Sequence, residues 1–332
     1  MIIDGSIGEG GGQILRTSLS LAAITGTEIR IEKIRAKRET PGLKRQHLAC
    51  VMAAAEICNA KVSDITVGTT EIDFSPEKIK AGDYRFDVGT AGSVILVAQT
   101  VIPILLMADG ESTVTISGGT HVDHAPTWEF FELCYLPELR RMGAEISAEI
   151  KSYGFYPAAG GVISLKIKPF DKSRRPDRFE LTELGKYRGG KVVGVVSSIP
   201  RDIAMSEVDI IAKNIDGLEC EVGEVSSNGP GNYCYVRLDY ERASIVFSGI
   251  GVRNRSRKSV ANEIVHNVKT FLKSGKACEE HIADQLLLPG AILLKGWSDK
   301  SSCCFKLDLQ KESLHYKTNK EVIEMFIKKG VL

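Results

Sequence analysis

"GGGQILRTSLSLAAITGTEIRIEKIR", residues 10–35, decides how the whole chain is read. Glycines stand directly before an apolar run with helical spacing. Gly26 stops the run, and an alternating stretch follows. The order is a glycine-rich turn, a helix, a glycine stop and a half-buried strand. "TAGSVILVAQTVIPILLMADGESTVTISGG", residues 90–119, repeats that order, and so does "HIADQLLLPGAILLKGWSDKSSCCFKLDL", residues 281–309. Each copy leads into a second helical pattern, at 41–62, 126–146 and 318–330. The first two copies then run into further strands, at 62–76 and 144–169. Self-similarity at this spacing marks a repeated architecture. The unit is strand–helix–strand–helix–strand–strand, with copies near 1–80, 85–170 and 277–332.

About 100 residues separate the second copy from the third. A polar stretch, "FDKSRRPDRFELTELGKYRGG" at 170–190, reads as the entry to them. Strand patterns follow at 191–199, 232–241 and 243–251, with helical patterns at 206–215 and 258–275. That is a small α/β module of ordinary domain size. The expected fold is α/β of the α+β type. Three βαβαββ units would form a large domain from 1–180 and 277–332, with 181–276 as an inserted small α/β domain. Helices should pack on one face of each small sheet.

The chain has 332 residues, 43% hydrophobic and 26% charged, the balance of a globular protein with a sizeable core. Its net charge is +1, so any phosphate site must be local. The first residues lack a basic segment followed by an apolar one, so no secretory signal is expected. The longest apolar stretch, 94–107, is short for a bilayer span and contains Gln99, Thr100 and Pro103. No membrane partner is expected. Eight cysteines show no CxxC spacing. Cys50 and Cys58 lie on an apolar helix pattern, and Cys303 and Cys304 are adjacent in a strand. They read as core filler in a reduced, cytoplasmic protein. His121 and His124 lack the partners a zinc site needs and read as a solvated loop.

Several motifs could carry chemistry. Gly8, Gly10, Gly11 and Gly12 precede a helix, where bare backbone can approach a phosphate. A tight turn explains the glycines equally well, since neither GxGxxG nor a P-loop is present. Arg16 lies one helical turn beyond Gly12, within reach of an anion held there. Glu9 is either a capping carboxylate or a ligand for a hard divalent cation. Residues 30–45 hold seven Lys or Arg against two Glu. Arg35 and Arg38 precede the Pro41-Gly42 turn, and Gln46 and His47 open the next helix. Arginine forks suit phosphate oxygens, although most charge runs are solvated edges. Arg253 to Lys258 form a second basic patch, read as a surface loop. His281 and Asp284 open the third repeat's helix three residues apart, as a cap or a ligand cluster. Gln99 interrupts an apolar helix and needs a partner, a core hydrogen bond or a purine edge.

Near the end of the chain, "ESLHYKTNKEVIEMF", residues 312–326, follows an alternating strand pattern. Thr318 with Glu321 three residues later gives a capping-box pattern, which places His315 in a short link just ahead of a helix. The positive helix end would favour an anion and keep the ring neutral. A plain surface histidine is the other reading.

Taken together, "DGSIGEGGGQILR", "RAKRETPGLKRQHL", "GTAGSVILVAQTVIPILL", "GFYPAAGGV", "HIADQLLLP" and "LHYKTN" resemble the RNA 3'-terminal phosphate cyclase family, nearly end to end and in order. The resemblance implies an ATP- and divalent metal-dependent conversion of an RNA 3'-phosphate to a 2',3'-cyclic phosphate. It implies three βαβαββ units plus an inserted domain. It puts the nucleophile on His315, which would carry a covalent AMP before passing it to the RNA end. Gln99 and His281, Ile282, Ala283, Asp284 and Gln285 would contact the nucleotide. Arg16, Arg35, Arg38, Gln46 and His47 would grip the terminal phosphate, and Glu9 would help hold Mg²⁺ or Mn²⁺. Two rival classes stand beside this one. One is a catalytically silent cyclase-like partner in RNA processing or ribosome assembly, which would lack the histidine. The other is an enolpyruvyl-type transferase, similar in its repeated units.

Overall fold

The computed structural model describes residues 1–294 and 304–332; Cys303 therefore lies outside the described residues. The chain starts with β1 (Ile2–Asp4), α1 (Gly12–Thr25), β2 (Ile29–Glu32), α2 (Arg45–Cys58), β3 (Lys61–Val62) and β4 (Ile72–Ser75). Strands β1 and β2 run parallel, and the sheet order is β1-β2-β4-β3. Gly26 ends α1 in the left-handed region, which spares a side chain the steric cost of that backbone. Ile29 and Ile31 point into the core while Arg30 and Glu32 point away, the period expected of a half-buried strand.

The next elements are β5 (Asp83–Asp87), α3 (Val94–Leu105) and β6 (Ser112–Gly118). A composite helix follows: α4 (Trp128–Phe130), a π-helical turn (Phe131–Tyr135) and α5 (Leu136–Arg141). Then come β7 (Ile146–Ser152) and β8 (Gly161–Ile167). The order β5-β6-β8-β7, with β5 and β6 parallel, matches the first sheet strand for strand. Helix α3 is buried on nearly every side, which explains its unbroken apolar sequence.

The third sheet differs from the expectation. Its first strand, β9 (Phe179–Leu181), lies within the stretch read as a polar entry. Then come β10 (Tyr187–Ser197), α6 (Asp202–Ala212), β11 (Leu218–Glu224), β12 (Gly231–Tyr240), β13 (Ser244–Ile250) and α7 (Arg257–Ser274). Only afterwards do α8 (Glu280–Leu293), β14 (Phe305–Leu307) and α9 (Leu314–Lys328) appear, with β14 parallel to β9. This second module, built on the sheet of β10–β13, thus enters after a first strand, not before it. Phe179 and Leu181 are buried against the core, so three residues suffice to hold that strand in a charged surrounding. Strand β11 escaped the sequence reading because it is an edge strand with Glu219, Glu221 and Glu224 exposed.

One apolar core joins the first two sheets, α8 and α9. The module formed by β10–β13, α6 and α7 has a core of its own around Val192, Ile211, Val236, Ile264 and Phe271. Each buried Leu or Ile contributes roughly 1.5–3 kcal/mol relative to exposure. Helix α9 packs on α1 and α8, and α2 packs on α3. These contacts bring helix N-termini from different sheets beside one another, at the ends where parallel strands run out. That is where open α/β sheets hold ligands. Among the described residues, no helix is long and apolar enough to cross a membrane.

Candidate active site

The glycine-rich loop between β1 and α1 is the floor of the site. A Cβ at Gly12 would overlap His47 Nε2 and crowd Arg16, so glycine is required for the helix start to nest against them. Glu9 projects from this loop with only 6% of its side chain exposed. Its Oε2 accepts from Arg38, and its Oε1 stands 3.3 Å from His315 Nδ1. Oε1 is buried and takes no hydrogen bond within the described residues. Burial would raise the Glu9 carboxyl, but His315, Arg38 and Arg16 outweigh it and hold it below the usual range.

His315 lies in the first turn of α9, not ahead of it. The N-cap is Ser313, whose hydroxyl accepts from Tyr316 N–H at 3.0 Å. Thr318, read as the cap, sits one turn inside. Both residue types cap well, and the earlier one wins here. The downward shift expected from the helix end is also reversed. The Glu9 carboxylate raises the imidazole above its ordinary value, against the effect of burial. A full charge at 3.3 Å outweighs the roughly half charge of a helix terminus.

The other cationic groups behave differently from one another. Arg16 Nη2 donates to Gln13 Oε1 at 2.6 Å, and Gln13 Nε2 donates to Thr17 Oγ1 at 3.2 Å. His47 is 4% exposed, and its Nδ1 accepts from Lys44 N–H at 3.1 Å. Burial and the neighbouring Arg16, Arg35, Lys44 and Arg38 push it down to about 3. It is therefore neutral with its proton on Nε2, a fixed donor beside Gly12. Arg35 is buried and donates from Nη1 to Thr40 O at 2.6 Å and Gly42 O at 2.8 Å. That end of its fork holds its own loop together. Gln46 Oε1 accepts from Ser93 N–H at 3.2 Å and ties α2 to the start of α3.

The third-repeat motif divides in two. Ile282 and Ala283 are buried in the apolar core. Glu279 caps α8, accepting from His281 N–H at 2.9 Å and Ile282 N–H at 3.2 Å. Its other oxygen lies 2.5 Å from His281 Nδ1, and the carboxylate raises that histidine to about 9. His281 pairs with Glu279 rather than with Asp284. Asp284 is 8% exposed, and its Oδ1 has no hydrogen bond among the described residues. Burial pushes its carboxyl up to about 7 against the pull of His315, His281 and Arg16. Gln99 Nε2 donates to Gln285 Oε1, so the odd amide of α3 finds its partner on α8.

The structure thus gathers Glu9, Arg16, Arg38, His47 and His315 around one loop, with Asp284, Gln99 and Gln285 on the adjoining helices. Sequence reading missed Gln13, Thr17, Ser313, Thr318 as a tether, Asn319 and Glu279. Asn319 Nδ2 donates to Asp284 O at 2.7 Å, and Thr17 Oγ1 donates to Asn319 Oδ1 at 2.7 Å. Buried polar side chains on otherwise apolar helix faces were the available signal.

The loop at 121–124 also departs from expectation. His124 is exposed, but His121 is fully buried. Its Nε2 lies 2.9 Å from Glu129 Oε2 and its Nδ1 lies 2.9 Å from the Thr120 hydroxyl. Tyr233 of β12 stacks on the ring and donates to Glu129 Oε1 at 2.8 Å.

A profile of the family described as RNA 3'-terminal phosphate cyclase matches residues 7–331. A protein of that name from Koribacter versatilis (strain Ellin345) is 40% identical over 331 residues, covering 98% of this chain and 90% of that protein. One from Ralstonia nicotianae is 41% identical over 326 residues, covering 98% and 91%. One from Salmonella agona is 38% identical over 326 residues, with the same coverage.

Proposed function

The chain belongs to the RNA 3'-terminal phosphate cyclase family, a family of enzymes, and from that premise we propose a route through a covalent histidine–AMP. One observation supports it most: His315 stands at a helix N-terminus beside Glu9, with Arg16 and Arg38 around the same loop. A neutral His315 nitrogen attacks the α-phosphorus of ATP. The N–P bond forms and the bond to pyrophosphate breaks, with positive arginines and helix-end N–H groups facing the charge. An oxygen of the RNA 3'-phosphate then takes the adenylyl group, and the imidazole leaves. The adjacent 2'-OH next attacks the terminal phosphorus, losing its proton as AMP departs. That closure is intramolecular, so alignment contributes more than base strength. The requirement for a 2'-OH makes the partner an RNA end.

Glu9 fits a hard divalent cation, because its buried Oε1 lacks a donor and carboxylate oxygen suits Mg²⁺ or Mn²⁺. Such an ion would supply charge neutralisation at the ATP phosphates. Gln99, Gln285, Asp284 and His281 would hold the nucleotide, with Ile282 and Ala283 supporting that wall from the core. Arg38, Arg16, Gln46 and His47 would face the terminal phosphate, and Arg35 would shape the loop that presents them. Residues 1–180 and 277–332 would make the catalytic body and 181–276 the inserted domain, in a cytoplasmic protein.

The test is to incubate the protein with α-labelled ATP and Mg²⁺ or Mn²⁺. Acid-labile, base-stable label on wild type but not on His315→Ala is expected. No label on wild type sinks the enzymatic route and favours a silent binding protein.

A further inference from the structure

One turn beyond His315 lie two polar side chains that are each 1% exposed, Thr318 and Asn319. Thr318 Oγ1 donates to Leu314 O at 2.7 Å, the ordinary back-bond of a helical threonine. It also accepts from the backbone N–H of Glu9 at 3.2 Å, across 309 residues of sequence. The loop is shaped to receive it. Gly8 sits at φ +52, and a Cβ there would overlap the Thr318 hydroxyl. Asn319 makes two long-range bonds of its own, to the Thr17 hydroxyl of α1 and the Asp284 carbonyl of α8. Three separate elements are therefore tied to the helix that carries His315.

We propose that Thr318 and Asn319 are positioning residues for His315. Thr318 sets the distance between the first turn of α9 and the Glu9 loop. Asn319 sets the rotation of α9 against α1 and α8. The inference rests on His315 being the adenylyl acceptor, as read above. The plainer alternative is that both residues only add stability. The two differ in magnitude. A lost neutral hydrogen bond lowers the melting temperature by only a few degrees. A nucleophile displaced by about 1 Å loses on the order of 100-fold in rate.

The experiment is single-turnover transfer of label from α-labelled ATP, measured against ATP concentration. Wild type, Thr318→Val, Thr318→Ser and Asn319→Leu are compared at 25 °C, with circular dichroism and melting curves alongside. Thr318→Val and Asn319→Leu should lower the maximal rate by about 10- to 100-fold. In Thr318→Val half-saturating ATP should stay within about 3-fold of wild type, because that hydroxyl bonds only the Glu9 loop and its own helix. Thr318→Ser, which keeps the hydroxyl, should regain most of the rate even if Thr318→Val folds poorly. Wild-type rates in Thr318→Val and Asn319→Leu, or a Thr318→Ser variant as slow as Thr318→Val, overturn the proposal while leaving the histidine route standing. A wild type that takes no label removes both.

Discussion

His315 with Glu9 and His121 with Glu129 are the same two groups set in opposite surroundings. In the first pair the histidine is 47% exposed and the carboxylate faces two cationic partners. In the second both are buried, both ring nitrogens have partners and Tyr233 covers the remaining carboxylate oxygen. The buried pair has its polar atoms satisfied and joins β12 of the second module to the loops of the second sheet. It is a structural seam. The open pair leaves a carboxylate oxygen without a hydrogen bond and a ring within reach of a ligand. Chemistry requires unsatisfied groups, and stability requires satisfied ones.

The sharpest way to break this comparison is to delete each histidine. His315→Ala should abolish labelling, by at least ~1,000-fold, while the melting temperature stays near wild type. His121→Ala should do the reverse. It strands a buried Glu129 and should cost about 3–5 kcal/mol, read as a large drop in denaturant midpoint. A silent His121→Ala melt would show that the seam is not closed as described. Tyr233→Phe is milder. It removes one hydrogen bond to a carboxylate and should cost about 1.5–3 kcal/mol in the same assay.

The carboxylates separate the pairs by pH. Glu129 is held below its ordinary value, with His121 and Tyr233 outweighing burial. A depressed carboxyl contributes stability above its unfolded value near 4.5, lost as pH falls through the folded value. His315 is raised, so its contribution is complete below 6.5 and is lost as pH rises through the folded value. As pH rises above 6.5 through the folded value, the melting gap between wild type and Glu9→Gln should narrow. The Glu9 effect is small, under ~1 kcal/mol, because the histidine is half exposed. Proton NMR titration of His315 is the sensitive readout, and in Glu9→Gln its midpoint should move down toward 6.5. An unmoved midpoint would mean that Glu9 does not set the charge of the ring.

The two pairs were not equally legible in the sequence. Helical and alternating periods gave the repeated elements directly, because each has a one-sided apolar face. Gly8 to Gly12 and His315 stood out as short patterns, and the fold brings them together. The seam could not be seen. His121 meets Tyr233, on another module, and its carboxylate partner lies eight residues away on a separate helix. Nothing in a local window distinguishes such a histidine from a solvated one. Strand β9 was hidden for a similar reason, since two buried side chains leave too little period to read. Thr318 read as the cap, but Ser313 holds that position, and packing against the Glu9 loop assigns Thr318 its place.

The parallel pairing of β9 with β14 joins Phe179 to Phe305 across the whole second module. The Glu9 loop likewise waits for Thr318, 309 residues later. Contacts so distant along the chain form late and slowly. At ribosomal speeds of about 5–20 residues per second, the glycine-rich loop spends roughly 15 to 60 seconds without the helix that carries His315. A growing chain therefore carries Arg16 and Arg38 long before His315. On the histidine route proposed above, a chain cut short before the last helix would take no label from ATP.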